Sequence, residues 1–220
     1  MLFLARRNAR LAMLVMLGFI IVANAWATLR GIDLGQTLSI SLAALLASGL
    51  GLVLSASIDS SNYLLNWVVG FHPFLNAFDA SFGKLFARVS APAIITGGLL
   101  AALGEETFFR GVLQREWGLL PVAGLFALAH YLPGARLLAG WALLEGLLFG
   151  WLYQLTGNLL VPMIVHGLHD SAGMFFGRYI YKRWFPPADT LFDWLHRLSA
   201  PASASATPPA GTVAANLGEE

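Results

Sequence analysis

The stretch APAIITGGLLAALGEETFFRG, residues 91–111, begins as an apolar run and ends in two adjacent carboxylates and an arginine. Apolar runs of this kind form helices in membranes, where each ionisable side chain is unfavourable by about 2.5–3.5 kcal/mol or more. Glu105, Glu106 and Arg110 are therefore expected to face a protein interior or a wet cavity. The stretch predicts a membrane helix that carries a polar functional site.

The bulk composition agrees with a membrane protein. Hydrophobic residues make up 57% of the 220 residues, charged residues 11%, and the mean hydropathy is +0.69. A soluble domain carries roughly 25% charged residues, so this chain cannot cover a water-facing surface. A net charge of +1 without a basic face argues against nucleic-acid binding. The absence of cysteine excludes disulfides and thiolate metal sites.

Further apolar runs predict an all-α, polytopic transmembrane helix bundle with about six spans, each needing roughly 20 residues. The predicted spans are residues 11–29, 34–56, 91–103, 118–132, 137–155 and 159–181. Residues 63–78 are interrupted by Gly70, His72 and Pro73, so we expect an interfacial or re-entrant segment there. A seventh span is the alternative.

The N-terminus also has the pattern of a secretory signal, because three arginines precede the first apolar run. That run is as long as a span, lacks an obvious cleavage site and is followed by further spans, so we interpret it as the first transmembrane helix. With the N-terminus in the cytoplasm, six spans place most basic residues on the cytoplasmic side. These residues are Lys84, Arg88, Arg136, Arg178, Lys182 and Arg183.

The chain is thus predicted to be a multi-pass integral membrane protein of the bacterial inner membrane. Residues 1–198 are interpreted as one transmembrane domain. Residues 199–220 are rich in Ala, Ser, Pro and Thr and have no apolar periodicity to bury, so this tail is predicted to be disordered.

The first polar motif is Glu105-Glu106-x-x-x-Arg110. Glu106 and Arg110 are four residues apart and can pair on one helical face. Two neighbouring carboxylates repel each other, which suits one of them to accept a proton. The alternative is an ion pair at the membrane interface without a catalytic role.

Two further motifs place histidines on later apolar helices. In Phe126-x-x-x-His130 the ring can pack against the imidazole and orient it, although a histidine at a helix end can also be merely interfacial. In His166-x-x-x-Asp170 the acid could orient His166, or the pair could bind a metal or donate hydrogen bonds. His169 points about a quarter turn away from His166, so we place it outside the site. Polar groups from separate helices can converge in a bundle core.

These three motifs, in this order, resemble the CAAX protease and bacteriocin-processing (CPBP, or Abi) family. The resemblance covers residues 91–177 and extends to the glycine pair Gly146 and Gly150, then to Thr156-Gly157-Asn158-Leu159 and Pro162. It implies a glutamate-dependent intramembrane endopeptidase related to the CAAX-processing enzyme Rce1. Glu145 stands beside the glycine pair and is left outside the site.

The resemblance also implies a role for each residue. Glu105 would be the base that activates a water together with His130, while Glu106 and Arg110 would support them. His166 and Asp170 would occupy the place where the family stabilises the oxyanion. The family often has Asn where this chain has Asp170, and an ionised carboxylate cannot donate to an oxyanion. Asp170 must therefore be protonated or must orient His166 instead.

Three alternatives stay open at this point. Zinc could bind the same acids and histidines, although no HExxH pair is present and the favoured mechanism needs no cofactor. A non-catalytic scaffold or bacteriocin-immunity protein could keep the same fold. A transporter would be expected to show inverted repeats with paired broken helices, which the sequence lacks. For an enzyme, the expected partners are the lipid bilayer and a membrane-anchored protein or peptide substrate.

Overall fold

The computed structural model describes residues 2–69, 90–131 and 136–176, and within these ranges the chain is helical apart from a few turn and extended residues, without a strand. In chain order the helices are α1 (Leu2–Arg30), α2 (Leu42–Val69), α3 (Ala91–Phe108), α4 (Gln114–Trp117), α5 (Leu119–Ala129), α6 (Arg136–Thr156) and α7 (Leu160–Phe176). A short 3-10 helix (Gly35–Thr37) precedes α2, and a π-helical stretch (Phe109–Leu113) joins α3 to α4. The predicted all-α fold is confirmed.

Three helices are long and apolar enough to cross a membrane: Met13–Arg30, Leu42–Ser61 and Leu138–Thr156. Helix α5 is apolar but has 11 residues, and α7 has 17, fewer than the roughly 20 that a straight span takes. Large apolar side chains such as Leu14 and Leu46 are about two-thirds exposed on α1 and α2, at 65% and 66%. An apolar outer surface of this kind is what contact with lipid requires.

The second helix differs from its predicted bounds at both ends. It begins at Leu42 rather than at residue 34, and the Ser41 hydroxyl accepts a hydrogen bond from the Ala44 N–H near its start. It also continues through the polar residues at 57–62, because the hydroxyls of Ser57 and Ser61 donate to carbonyls of their own helix. Residues 63–69 therefore extend α2 rather than starting a separate segment.

Several predictions fall on residues that the structure does not describe. These are the rest of the proposed interfacial or re-entrant segment (70–78), the basic residues Lys84, Arg88, Arg178, Lys182 and Arg183, and the tail 199–220. They remain predictions from the sequence.

Helices α3 and α7 approach each other closely at Gly98. A Cβ atom there would lie 2.5 Å from the Ser171 hydroxyl oxygen and 3.0 Å from the Gly167 carbonyl oxygen. Only a residue without a side chain fits so near another backbone. This contact brings the helix of the first motif against the helix of the third.

We expect Gly98→Ala to lower the thermal unfolding midpoint in detergent, because overpacking of this kind costs about 1–3 kcal/mol. Gly97→Ala is the matched control, since nothing lies within 4 Å of a Cβ atom at that position. Differential scanning fluorimetry of both variants makes the measurement. Equal midpoints for the two would contradict the close packing of α3 on α7.

The π-helical stretch sets the register between α3–α4 and α6. The Gln114 N–H donates to the Phe109 carbonyl, five residues back, which is the π-helical pattern. The Arg110 Nη2 then donates to the Gly146 carbonyl at 3.0 Å, and the Gln114 Nε2 donates to the Gly150 carbonyl at 2.8 Å. Two side chains four residues apart thus bind two carbonyls four residues apart.

An exposed ion pair joins α1 to α4. The Arg30 guanidinium donates to both carboxylate oxygens of Glu116, at 2.8 and 3.0 Å. These hydrogen bonds hold the pKa of Glu116 below its usual value. This ion pair lies outside the candidate active site. It is an exposed counterpart to the buried ion pair described in the next subsection.

Candidate active site

Glu106 and Arg110 form a buried ion pair. The Arg110 Nη1 donates to the Glu106 Oε1 at 2.9 Å, and both side chains have no exposed surface. The pairing predicted from their four-residue spacing is therefore present. The pair is enclosed by protein and is not a surface ion pair.

His166 joins the third motif to the first. Its Nδ1 lies 2.7 Å from the Glu106 Oε1, the same oxygen that binds Arg110. Its Nε2 lies 3.5 Å from the Asp170 Oδ2, which is longer than a normal hydrogen bond. The ring of Phe149 stacks on the imidazole with centroids 4.8 Å apart. His166 is thus fixed by two acids and one aromatic ring.

The turn before α7 explains why His166 is placed so firmly. Gly157 has a φ of +60°, and the Asn158 side-chain oxygen accepts from the Leu160 N–H as α7 begins. The Asn158 amide also donates to the Ser39 carbonyl at 2.6 Å. This turn therefore both starts the helix and ties it to the segment before α2.

The second motif contributes Phe126 and His130. Their ring centroids lie 4.5 Å apart, as the motif predicted. The His130 Nδ1 lies 2.8 Å from the Phe126 carbonyl oxygen. A carbonyl can only accept, so Nδ1 carries a proton and, in the neutral ring, Nε2 keeps a free lone pair. Phe126 also lies 4.5 Å from the Arg110 guanidinium carbon, a cation–π contact that links the second motif to the first.

Glu105 is the carboxylate of the site that other side chains leave free. It is 8% exposed, and its buried Oε2 has no hydrogen-bond partner among the described residues. It interacts electrostatically with His166 and His130. Its neighbour Glu106 is held through its Oε1 by Arg110 and His166, while the Glu106 Oε2 is also without a partner among the described residues. Of the two adjacent acids, Glu105 is the one that no ion pair from the described part of the chain holds in place.

The structure therefore brings the six predicted residues into one region built by three helical segments. Glu105, Glu106 and Arg110 come from α3 and the π-helical stretch, His130 from the end of α5, and His166 and Asp170 from α7. Asp170 is partly exposed, with 28% of its side-chain surface accessible. These contacts place the residues; they do not assign their chemical roles.

Two members of this region were missed by the sequence analysis. Phe149 covers His166, and the Gly146 carbonyl accepts from Arg110. Nothing in the sequence distinguishes Phe149 from the other aromatic residues of α6. A backbone carbonyl leaves no mark in a sequence either, although the predicted close packing at Gly146 was a partial signal.

The geometry also bears on the zinc alternative. Among the described residues, the one group of three acidic or histidine side chains near enough to share a metal consists of Asp59, Glu145 and His169. None of these belongs to the six predicted site residues. Within the predicted site, Arg110 already neutralises Glu106 as a counter-charge.

Comparison with known proteins points to the same segment. Residues 87–172 match the family described as type II CAAX prenyl endopeptidase Rce1-like, and all six site residues lie inside the match. A protein of Bacillus subtilis (strain 168), the uncharacterized protein YpbD, is 41% identical over 93 residues, which cover 40% of this chain and 47% of YpbD. The match thus spans about half the length of this curated relative. No solved structure gives a significant match.

Proposed function

Since residues 87–172 are Rce1-like and the family resemblance is thereby confirmed, we propose that the chain is an intramembrane endopeptidase of the CAAX-protease type. In this proposal Glu105 and His130 activate a water that hydrolyses a peptide bond. The observation that supports it is the buried Glu105 carboxylate, which forms no ion pair and has an unpartnered Oε2 among the described residues, beside a Glu106 whose Oε1 binds both Arg110 and His166.

Glu105 is the general base of the proposed reaction. The water donates to the Glu105 Oε2 and to the free Nε2 of His130, so both hold the water. Glu105 takes one proton while the water oxygen bonds to the carbonyl carbon. The C–N bond then breaks, and Glu105 returns the proton to the departing amine nitrogen. The products are a carboxylic acid and an amine, with one water consumed, and transfer of the remaining water proton between them gives a carboxylate and an ammonium group.

His166 is the proposed oxyanion donor. Its Nδ1 is engaged by Glu106, whereas its Nε2 has only the 3.5 Å contact with Asp170. A ring between two carboxylates is favoured in its doubly protonated form, in which Nε2–H can donate to the oxyanion. In this assignment Asp170 orients and charges His166 and does not itself donate. An Asp in place of the usual Asn is then compatible with catalysis.

The mechanism uses the protein's own groups and no metal at the reacting bond. The substrate is proposed to be a membrane-anchored protein or peptide, because the site is reached among apolar helices whose outer surfaces suit lipid. We propose that the chain itself lies in the bacterial inner membrane, with its N-terminus in the cytoplasm.

The test is cleavage by the full chain in detergent of peptides that carry a transmembrane segment, a prenylated C-terminus or a leader-like sequence. Mass spectrometry locates the cut. We expect cleavage by the wild type, unaffected by a chelator well below the unfolding temperature, and only background cleavage by Glu105→Gln/His130→Gln. Glu116→Gln is the control for an acid outside the site.

Two outcomes would contradict the proposal. Equal cleavage by the double variant and the wild type would show that the site is wrong. If no peptide is cleaved and Glu105→Gln complements a deletion in cells as well as the wild type does, the chain acts as a scaffold instead.

A further inference from the structure

A second polar cluster lies beside the candidate active site, and the ring of Phe149 contacts both. It consists of Asp59 from α2, Glu145 from α6 and His169 from α7, and one ligand-type atom of each lies within 4.8 Å of the others. Phe149 contacts His169 at 6.3 Å between ring centroids as well as stacking on His166. The two histidines of α7 thus serve different clusters.

Hydrogen bonds show how closely the second cluster is drawn together. The Ser55 hydroxyl oxygen lies 2.6 Å from the His169 Nδ1 and donates to the Glu145 Oε2 at 3.0 Å. The same Nδ1 lies 3.5 Å from the Asp59 Oδ2. The Ser55 hydroxyl has only one proton to donate. It therefore cannot donate hydrogen bonds to both Glu145 oxygens and to Asp59.

With both acids ionised, as they are when they bind a cation, the cluster has negative charge that its described surroundings do not balance. Glu145 is 1% exposed, and its Oε1 is buried without a hydrogen-bond partner among the described residues. In that part of the chain, no arginine or lysine lies within ion-pair distance of Glu145 or Asp59. A buried carboxylate without a counter-charge is strongly unfavourable. His169 alone cannot neutralise two acids.

Neighbouring residues hold the acid and histidine side chains of the cluster in place, as they do in metal sites. The Trp141 Nε1 donates to the Asp59 Oδ1 at 2.8 Å, and the Trp141 ring stacks on His169 at 5.3 Å. Ser55 fixes Glu145 from the other side. Partners of this type orient metal ligands and set which ligand atoms face the ion.

We propose that Asp59, Glu145 and His169 bind one divalent cation of the Zn²⁺ class. Two carboxylates and one imidazole are ligands that zinc accepts, and the dication supplies the charge that the two acids lack. Asp59, whose side chain is 26% exposed, gives the ion a way in. Because its ligands come from three helices, the ion stabilises α7 against α2 and α6 and takes no part in the hydrolysis.

The test is Zn²⁺ binding to the metal-stripped, tag-free full chain in detergent, measured by calorimetry and by metal analysis after dialysis. We expect one ion per chain in the wild type. Asp59→Asn removes the charged ligand but keeps an oxygen for Trp141, and His169→Gln removes the imidazole. Each variant is expected to bind Zn²⁺ at least about 100-fold more weakly than the wild type. Changing a residue that only contacts a metal ligand already lowers metal affinity about 10–100-fold. His166→Gln is the control and is expected to bind normally.

Thermal unfolding gives an independent readout. Zn²⁺ in large excess over its dissociation constant is expected to raise the unfolding midpoint of the wild type and of His166→Gln, but not of the two ligand variants. The proposal is overturned if the wild type binds no ion, or if both ligand variants bind like the wild type. Loss of the ion in His166→Gln alone would assign it to the active site and would also overturn the proposal. If one ligand variant does not fold, the other decides.

Discussion

Glu105→Gln is expected to lower kcat by about 10²–10⁴-fold, the range that a general base contributes, and to leave the unfolding midpoint unchanged. An amide has nearly the shape of a carboxylate but cannot take a proton from water. The Oε2 of Glu105 has no hydrogen-bond partner among the described residues, so the substitution removes no structural contact there. The measurement is the initial rate on a cleaved peptide together with thermal unfolding of the same sample.

The adjacent glutamate supplies an internal comparison. Glu106→Gln is expected to lower both the rate and the stability, because Glu106 holds Arg110 at 2.9 Å and His166 at 2.7 Å. Two neighbouring residues of one type are thus predicted to differ in the unfolding midpoint. If Glu105→Gln keeps the wild-type rate, or unfolds as early as Glu106→Gln, Glu105 is not the base.

Arg110→Met is expected to destabilise the protein by about 3–5 kcal/mol, the cost of leaving a buried charge without its partner. Arg110 is fully buried, donates to Glu106 and to the Gly146 carbonyl, and lies against the Phe126 ring. Methionine fills much of its volume but supplies no donor and no charge. Equilibrium unfolding in detergent measures the loss.

Arg30→Met is the matched control, since it breaks an exposed ion pair with Glu116. Exposed pairs contribute little, so a small change is expected. The double variant Glu106→Leu/Arg110→Met removes both buried charges, and its loss is expected to be smaller than the sum of the single losses. Equal effects of Arg110→Met and Arg30→Met would show that the Arg110 pair does not stabilise the fold.

The sequence predicted the helices of the site and the contacts within each motif. The four-residue spacings placed Arg110 on Glu106 and Phe126 on His130, because helical geometry alone decides those neighbours. It could not predict that His166 would bind the same Glu106 oxygen. That contact joins residues 60 apart and depends on how α3 packs on α7.

His169 shows the limit more clearly. Helical periodicity distinguished its direction from that of His166 but gave no indication of what it faces. Its partners Ser55 and Asp59 lie in α2, Ser55 at the end of the span predicted at 34–56 and Asp59 in the polar stretch beyond it. Serine hydroxyls that bond within their own helix allowed α2 to continue through that stretch and carry Asp59 to His169.

The π-helical stretch Phe109–Leu113 limits how the chain length can vary. Compared with a regular helix it holds one additional residue, so deleting one residue there would close the stretch into a regular α-helix and leave the direction of the following side chains nearly unchanged. The same deletion within the regular helix upstream would instead rotate all that follows by about 100° and separate Gln114 from the Gly150 carbonyl. In an alignment of related chains, a one-residue gap between Arg110 and Gln114 would therefore identify those that keep the charged motif but lack the π-helical stretch.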